Sequence, residues 1–397
     1  MPKLTSISNS NQFLFALLIF FLPISVALSK IFAVSILILW GLSGDTKNKI
    51  VNLFANNFSR ISLVFFASFC IGLIWTENKL DGLDMLLRMI EFLLLIPVLS
   101  TLVLKGNKIQ YIKIFLYSIF LTTVFTTMIW LGFIPKFGAA QILHPSPFMS
   151  HISWGVFLAF GFYLAYSLFL NKNLSNNFRF FLIALMFLII VNIFISEGRS
   201  GYIAFFVILG VIFFQKYGFK IKTFFSFLVL IMLIFTFLYS FSSVFKYRVN
   251  KTFYAFENIQ SFDHSSLSQR IAYINNSLKI ISRNPYFGVG TGEFKKEYIH
   301  FLEEKDSKDR PVSHPHNMYL LITTELGIFG LLVFLWYQIS NIRYSYKQDI
   351  KERKSIMALA AMFIVLNFID SYFLGHFTTY LFAVFIGLFA NKTLNYE

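Results

Sequence analysis

Two histidines near the start of a long apolar run are the first residues of this 397-residue chain whose types and spacing suggest chemistry. His314 and His316 flank Pro315, and Asn317 follows them. Because proline is favoured in the first turn of a helix, we expect His316 near a helix N-terminus. There the positive end of the helix dipole favours a neutral imidazole, which can accept a proton as a general base. The alternative is an interfacial histidine that only caps the helix.

Three arginines are candidates for binding an anion. Arg199 lies between two apolar runs, in the sequence Ser-Glu-Gly-Arg-Ser-Gly, where a charge costs free energy unless it is paired or solvated. Its alternative role is to reach the interface beside Glu197. Arg270 and Arg283 lie on or just after a predicted amphipathic helix, and each could equally belong to a solvated helix face.

Charged residues inside apolar runs form a second set of candidates, namely Arg88, Glu91, Glu325 and Asp370. Such residues mark substrate pathways or pair between helices, and both interpretations remain open for these four.

Other classes of site are less well supported. His314 and His316 could be half of a metal site, but no further ligand cluster accompanies them, so we predict no metal. The stretch Gly198-Arg199-Ser200-Gly201, with His376 as a partner, is too short a match to identify an intramembrane serine protease. The Gly-x-Gly-x-Gly of residues 288–292 has no βαβ unit around it and is not a dinucleotide site.

The elements that position these residues are predicted to be membrane helices. The chain is 57% hydrophobic and 13% charged, with a mean hydropathy of +0.67, whereas soluble domains carry about a quarter charged residues. A helix needs about 20 apolar residues to cross a bilayer core. Runs of this kind predict an all-α polytopic membrane protein of twelve spans, near 12–28, 31–44, 61–75, 84–102, 110–131, 150–170, 179–196, 200–215, 223–241, 317–340, 355–371 and 376–391.

The net charge of +15 acts as a topology signal in this interpretation. Basic residues concentrate in alternate connections between spans, as expected for cytoplasmic loops, and they form no face for nucleic acid. The pattern predicts that both termini are cytoplasmic. The basic connections hold Lys47, Lys49 and Arg60; Lys105, Lys108 and Lys113; Lys172 and Arg179; Lys216, Lys220 and Lys222; and Arg343, Lys347, Lys351, Arg353 and Lys354.

One polar connection divides the chain into three parts. We expect spans 1–9 in residues 1–241, an outer loop in 242–316, and spans 10–12 with a cytoplasmic C-terminus in 317–397. Apolar residues at helical spacing after Ser265 and Ser266 predict an amphipathic helix that Pro285 ends. A second amphipathic helix is predicted around Phe294, Tyr298 and Leu302. Long structured loops of this kind are usually functional.

The order of these motifs resembles that of a known family. Ser-Glu-Gly-Arg-Ser-Gly-Tyr is followed by a large loop with Arg270 and Asn-Pro-Tyr-Phe-Gly-Val-Gly-Thr-Gly, then by His-Asn-Met-Tyr-Leu and Glu-Leu-Gly-Ile-Phe-Gly. Over residues 180–340 this resembles the O-antigen ligase and polymerase superfamily. The resemblance implies a GT-C-like glycosyltransferase in the inner membrane of a Gram-negative bacterium, with its active site on the periplasmic face. It also implies transfer of a glycan from undecaprenyl diphosphate to a sugar hydroxyl of lipid A–core, with inversion.

The resemblance also suggests roles for residues. Arg199 and Arg270 would hold the diphosphate, and His316 would serve the acceptor hydroxyl. Arginine forks bind phosphate oxygens without a metal or nucleotide, so we expect no cofactor. The expected partners are the lipid-linked donor, lipid A–core and membrane lipid. The remaining residues predicted to bind substrate are Arg283, His314, Asn317 and Arg88.

Three alternatives remain. An O-antigen polymerase would use the same donor, although the compact His-Asn-x-Tyr-Leu element favours a ligase. A secondary transporter also fits twelve spans, but transporters bind substrate near the bilayer midplane at broken helices. A flippase for the same lipid would move the donor without transferring its glycan.

Overall fold

The computed structural model describes residues 2–102, 108–141, 144–196, 198–257, 266–307 and 309–392. Lys105, Glu197 and Ser265 therefore lie outside the described residues. The described chain is all helical, with eighteen helices and no strand. They are α1 (Pro2–Phe21), α2 (Val26–Leu42), α3 (Thr46–Ala55), α4 (Asn57–Gly72), α5 (Lys79–Arg88), α6 (Ile90–Leu93), α7 (Leu95–Thr101), α8 (Lys108–Trp130), α9 (His151–Phe169), α10 (Asn176–Ile195), α11 (Arg199–Tyr217), α12 (Ile221–Phe241), α13 (Ser243–Glu257), α14 (Ser266–Arg283), α15 (Phe294–Glu304), α16 (Met318–Ser345), α17 (Ile350–Leu366) and α18 (His376–Ala390).

The apolar helices confirm a polytopic membrane protein. Six of the described helices, α8 to α12 and α16, are long and apolar enough to cross a bilayer, and a seventh candidate is the pair α3–α4, which bends by 86°. Each predicted span overlaps a helix, but several of these helices are short. The count of twelve therefore stays a prediction.

The predicted span 84–102 is broken into three helices, α5, α6 and α7. Pro97 explains the second break, because it has no N–H to donate to the carbonyl of Leu93 and its ring crowds that carbonyl. Leu94, at the break, has φ −110° and ψ −56°.

Burial separates central helices from lipid-facing ones. Residues 378–390 of α18 are all buried, and this helix packs against α7, α9 and α17. By contrast, α12 is apolar on every side and has no buried residue, as expected for a helix that faces lipid.

Polar contacts tie together one end of the bundle. Lys108 Nζ lies 3.0 Å from Glu352 Oε1 in a buried ion pair, and the side-chain amide of Asn391 donates to the carbonyls of Leu99 and Leu102. These contacts join segments that the basic residues assign to one side of the membrane. The predicted outer loop lies at the opposite end.

The two amphipathic helices of the loop form as predicted. Helix α14 ends at Arg283, two residues before Pro285, and α15 buries Phe294, Tyr298 and Leu302. A third helix, α13, precedes them and was not predicted. Its residue Phe245 is buried against the rings of Phe194, Tyr202 and Phe235, so α13 is held on the bundle.

The glycine-rich segment 285–292 pairs its backbone with a break in α16. At Gly327 the backbone leaves the helix, with φ 64° and ψ −163°. The amides of Val289 and Gly290 then donate to the carbonyls of Thr324 and Glu325. The loop therefore satisfies carbonyls that the break leaves without partners inside the helix.

Candidate active site

His316 lies immediately before α16, and its side chain contacts Asp370. Helix α16 begins at Met318 with Asn317 as its N-cap, so the expectation that Pro315 occupies the first helical turn is wrong. The physical reason is that Asn317 Oδ1 accepts from the amide of Leu320 and caps the helix, which therefore begins three residues after Pro315. His316 itself has φ +51°, a left-handed conformation that histidine adopts more readily than most residues.

The contact between His316 and Asp370 fixes the ring. His316 Nδ1 lies 3.0 Å from Asp370 Oδ1, which also accepts from the amide of Ser371 at 2.8 Å. When Nδ1 donates to this carboxylate, Nε2 is the nitrogen that can accept a proton. The ring of Tyr273 on α14 stacks on the imidazole, with centroids 5.8 Å apart. This arrangement suits a general base oriented by a carboxylate.

Arg270 links this pair to the loop helices. Its Nη1 donates to the carbonyl of Ile369 at 2.9 Å, and its Nη2 lies 3.5 Å from Asp370 Oδ2. One carboxylate thus contacts the candidate base through one oxygen and an arginine through the other.

A cationic cavity lies beside Arg270. It has a volume of about 280 Å³. Three of its lining residues are arginines, from α11, α13 and α14, and Arg199 is close enough to Arg248 and Arg270 to be affected by their charges. The three guanidinium groups repel one another, and a bound anion would offset this repulsion. The cavity is therefore suited to an anion. The residues that line it are His144, His151, Ile152, Arg199, Ser200, Arg248, Arg270 and Ile369.

His314 lies beside His316 but makes different contacts. Its Nδ1 accepts from the backbone amide of His316 at 3.4 Å and lies 3.9 Å from Asp370 Oδ1. Burial, reinforced by the neighbouring His316, lowers the pKa of His314 to about 4, so its ring is neutral near pH 7.

The ring nitrogens of His314 and His316 and a carboxylate oxygen of Asp370 all lie within 4.8 Å of one another. This spacing would accommodate a metal ion, but the second carboxylate oxygen faces Arg270 and a divalent cation would be repelled by the nearby arginines. The charges around the cluster favour an anionic substrate over a metal.

The structure places the other predicted residues outside the cavity lining. Arg283 pairs with Glu304 at 2.6 Å on the surface of the loop helices. Arg88 pairs with Asp84 at 2.8 Å on α5. Both polar atoms of the Asn317 side chain have partners. Its Oδ1 caps α16, and its Nδ2 donates to the carbonyl of Phe368. Substrate binding by these three residues stays a prediction.

Residues 184–335 match the family model described as O-antigen ligase. This part of the chain is therefore similar to O-antigen ligases. A search of curated proteins found no match to the chain. The matched range contains Arg199, Arg270 and His316, together with the glycine-rich loop and the break in α16.

Important parts of the candidate site lie outside the matched range or had little signal in the sequence. Asp370 lies beyond residue 335, and its only signal in the sequence was that of a charge within an apolar run. His144 and His151 stack face to face with centroids 3.6 Å apart, although they are seven positions apart in the chain. Arg248 had no signal beyond its place in the outer loop.

Proposed function

We propose that this protein is a membrane glycosyltransferase that moves an O-antigen glycan from undecaprenyl diphosphate to a sugar hydroxyl of lipid A–core. The observation that carries the proposal is the chain of contacts from Arg270 through Asp370 to His316, which joins an arginine-lined cavity to a candidate base. The family match supports the same class of reaction.

The chemistry of this reaction needs a base and an anion site, side by side. The acceptor oxygen attacks the anomeric carbon while its proton passes to Nε2 of His316. The bond from the anomeric carbon to the diphosphate oxygen breaks, and the leaving diphosphate keeps the electron pair. Arg199 and Arg270 stabilise the charge that grows on it. A single displacement of this kind inverts the anomeric centre.

Arg270 has two functions in this mechanism. It contacts the carboxylate that orients His316, and it lines the cavity that receives the diphosphate. Donor binding and orientation of the base are therefore coupled through one side chain. The proposed reaction requires no nucleotide, because the leaving diphosphate is already part of the donor.

The proposal is tested by expressing the chain in a bacterium that lacks its own O-antigen ligase but makes the matching donor and core. The expected result is glycan attached to lipid A–core. Longer glycans that remain on the undecaprenyl carrier would instead identify a polymerase. Donor that crosses the membrane without any change in its glycan would identify a flippase and contradict the proposal.

A further inference from the structure

Arg248 lies where two cavities meet. Beside the cationic cavity there is a second one, of about 250 Å³, formed between α11, α12 and α13. Its walls are mostly apolar. Among the described residues, Arg199 and Arg248 alone line both cavities. The residues that line the second cavity are Arg199, Tyr202, Phe235, Arg248, Val249, Thr252 and Phe253.

Arg270 has a different position. It lines the cationic cavity and is absent from the lining of the apolar one. Its guanidinium is held by the carbonyl of Ile369 and by Asp370, which is the carboxylate that contacts His316. Arg199 and Arg248 therefore lie at the boundary between the two cavities, whereas Arg270 lies on the side of the cationic cavity that contacts Asp370.

We propose that Arg248 binds the phosphate to which the lipid is esterified, and that Arg270 binds the phosphate that carries the glycan. This inference rests on the proposed function and adds an orientation to it. Arg199, which also lines both cavities, contacts both phosphates. The first isoprene units enter the apolar cavity, and the anomeric carbon is directed toward Asp370 and His316.

The amphiphilic structure of the donor determines what its site must offer. A prenyl diphosphate changes from charged to apolar within a few bonds, and its site must change in the same way. At the boundary between the two cavities, two guanidinium groups adjoin an apolar wall. The buried ring of Phe245, three residues before Arg248, fixes α13 against α11 and α12 and so holds the guanidinium at this boundary.

The test is to measure binding of two glycan-free lipids to the purified protein in lipid nanodiscs. Undecaprenyl phosphate has only the lipid-side phosphate, and undecaprenyl diphosphate has both. We expect Arg248→Ala to weaken binding of both lipids about ten- to hundredfold, the usual effect of losing a charge-assisted hydrogen bond. Arg270→Ala should weaken binding of the diphosphate alone. Arg248→Gln, which keeps most of the side-chain volume, should behave as Arg248→Ala does.

Lys251→Ala is the matched control, because Lys251 is also a cation on α13 but lies over the ring of Tyr247 and lines neither cavity. It should bind both lipids as the wild type does. Unchanged binding of undecaprenyl phosphate by Arg248→Ala would overturn the orientation, as would equal loss of that lipid in Arg270→Ala. Wild-type protein that binds neither lipid would overturn it as well.

A separate transfer assay distinguishes the two proposals. If the wild type transfers glycan while Arg248→Ala binds both lipids normally, the orientation is wrong and the proposed function stands. If the binding pattern is as expected but no glycan is transferred to any acceptor, the orientation stands and the proposed function is wrong.

Discussion

At the scale of single residues, the site depends on Asp370, whose two carboxylate oxygens contact different side chains. Oδ1 lies 3.0 Å from His316 and Oδ2 lies 3.5 Å from Arg270. A carboxylate in this position holds the imidazole in one tautomer and stabilises the imidazolium that forms when the ring takes a proton. In the proposed mechanism Asp370 is a positioning residue, and His316 is the residue that touches the acceptor.

Asp370→Asn should lower the rate of transfer about a hundredfold or more while leaving the donor KM much less affected, because general-base catalysis contributes this much. The measurement is the rate of glycan transfer in proteoliposomes at saturating donor and across a range of pH. Asp309→Asn is the control, since Asp309 bonds to Asn276 within the loop helices and does not contact His316. A wild-type rate in Asp370→Asn would refute the positioning role of this carboxylate.

His314 should make folding stability depend on pH. Its pKa is lowered from the ordinary 6.5 to about 4, so between these values the unfolded chain takes up a proton that the folded protein does not. Stability should therefore fall as pH decreases through this window. His314→Gln should lose less thermal stability than the wild type between pH 6.5 and 4, whereas His300→Gln, at an exposed residue of α15, should behave as the wild type does. Identical pH profiles for wild type and His314→Gln would contradict the burial argument.

The sequence predicted some of these residues and missed others for a physical reason. Arg199, Arg270 and His316 stand in local motifs, and the structure brings them to one end of the bundle. Asp370 and Arg248 have no local motif, and their roles arise from contacts between segments far apart in the chain, such as the 54 residues that separate His316 from Asp370. Periodicity and spacing do not encode such contacts.

At the scale of elements, the site is supported by the fit of the glycine-rich loop against broken α16. Gly327 is the point of closest approach, because a Cβ there would lie 2.1 Å from the carbonyl oxygen of Tyr286. Its φ of 64° is also a conformation that costs other residues free energy. A Cβ at Gly288, Gly290, Gly292 or Gly327 would lie within 3 Å of backbone atoms of a neighbouring segment, which explains these motif glycines.

Gly327→Ala should strongly destabilise the protein and separate the loop from α16. The readout is the apparent melting temperature in detergent, together with transfer activity. Gly132→Ala is the control, because Gly132 also has a positive φ, of 82°, but nothing lies within 4 Å of its Cβ position. We expect Gly132→Ala to cost about 1 kcal/mol and Gly327→Ala to cost clearly more. Equal losses in the two variants would show that the loop does not depend on this close approach.

Amphipathic periodicity located α14 and α15. Helix α15 buries Phe294, Tyr298 and Leu302, whereas α14 buries Tyr273 and Ile280 and leaves Ile274 and Leu278 exposed. It did not reveal α13, whose position depends on Phe245 packing between α10, α11 and α12. The break in α16 was also not predicted, because the partner that stabilises it is the backbone of a distant loop.

At the scale of the whole molecule, the site and the basic connections lie at opposite ends of the bundle. The buried Lys108–Glu352 pair and the contacts of Asn391 mark one end, and the loop helices with His316 mark the other. We propose that the second end is periplasmic, because Lys/Arg-rich connections remain in the cytoplasm.

Sidedness can be measured with single cysteines. The natural Cys70 is exposed and is first replaced by serine. In that background, Lys305→Cys in the loop should react with a membrane-impermeant maleimide in intact spheroplasts, and Lys347→Cys should react only after lysis. Both lysines are exposed, so they form a matched pair. The reverse labelling pattern would place the site in the cytoplasm and contradict the topology.

The most direct test of the central claim is reconstitution of the purified protein with undecaprenyl diphosphate-linked glycan and lipid A–core, with EDTA present and nucleotide absent. We expect glycan on lipid A–core with the wild type, and none above background with His316→Ala or Arg199→Ala. If folded wild-type protein with matching substrates transfers no glycan, or if His316→Ala transfers it at the wild-type rate, the proposed function and its mechanism are wrong.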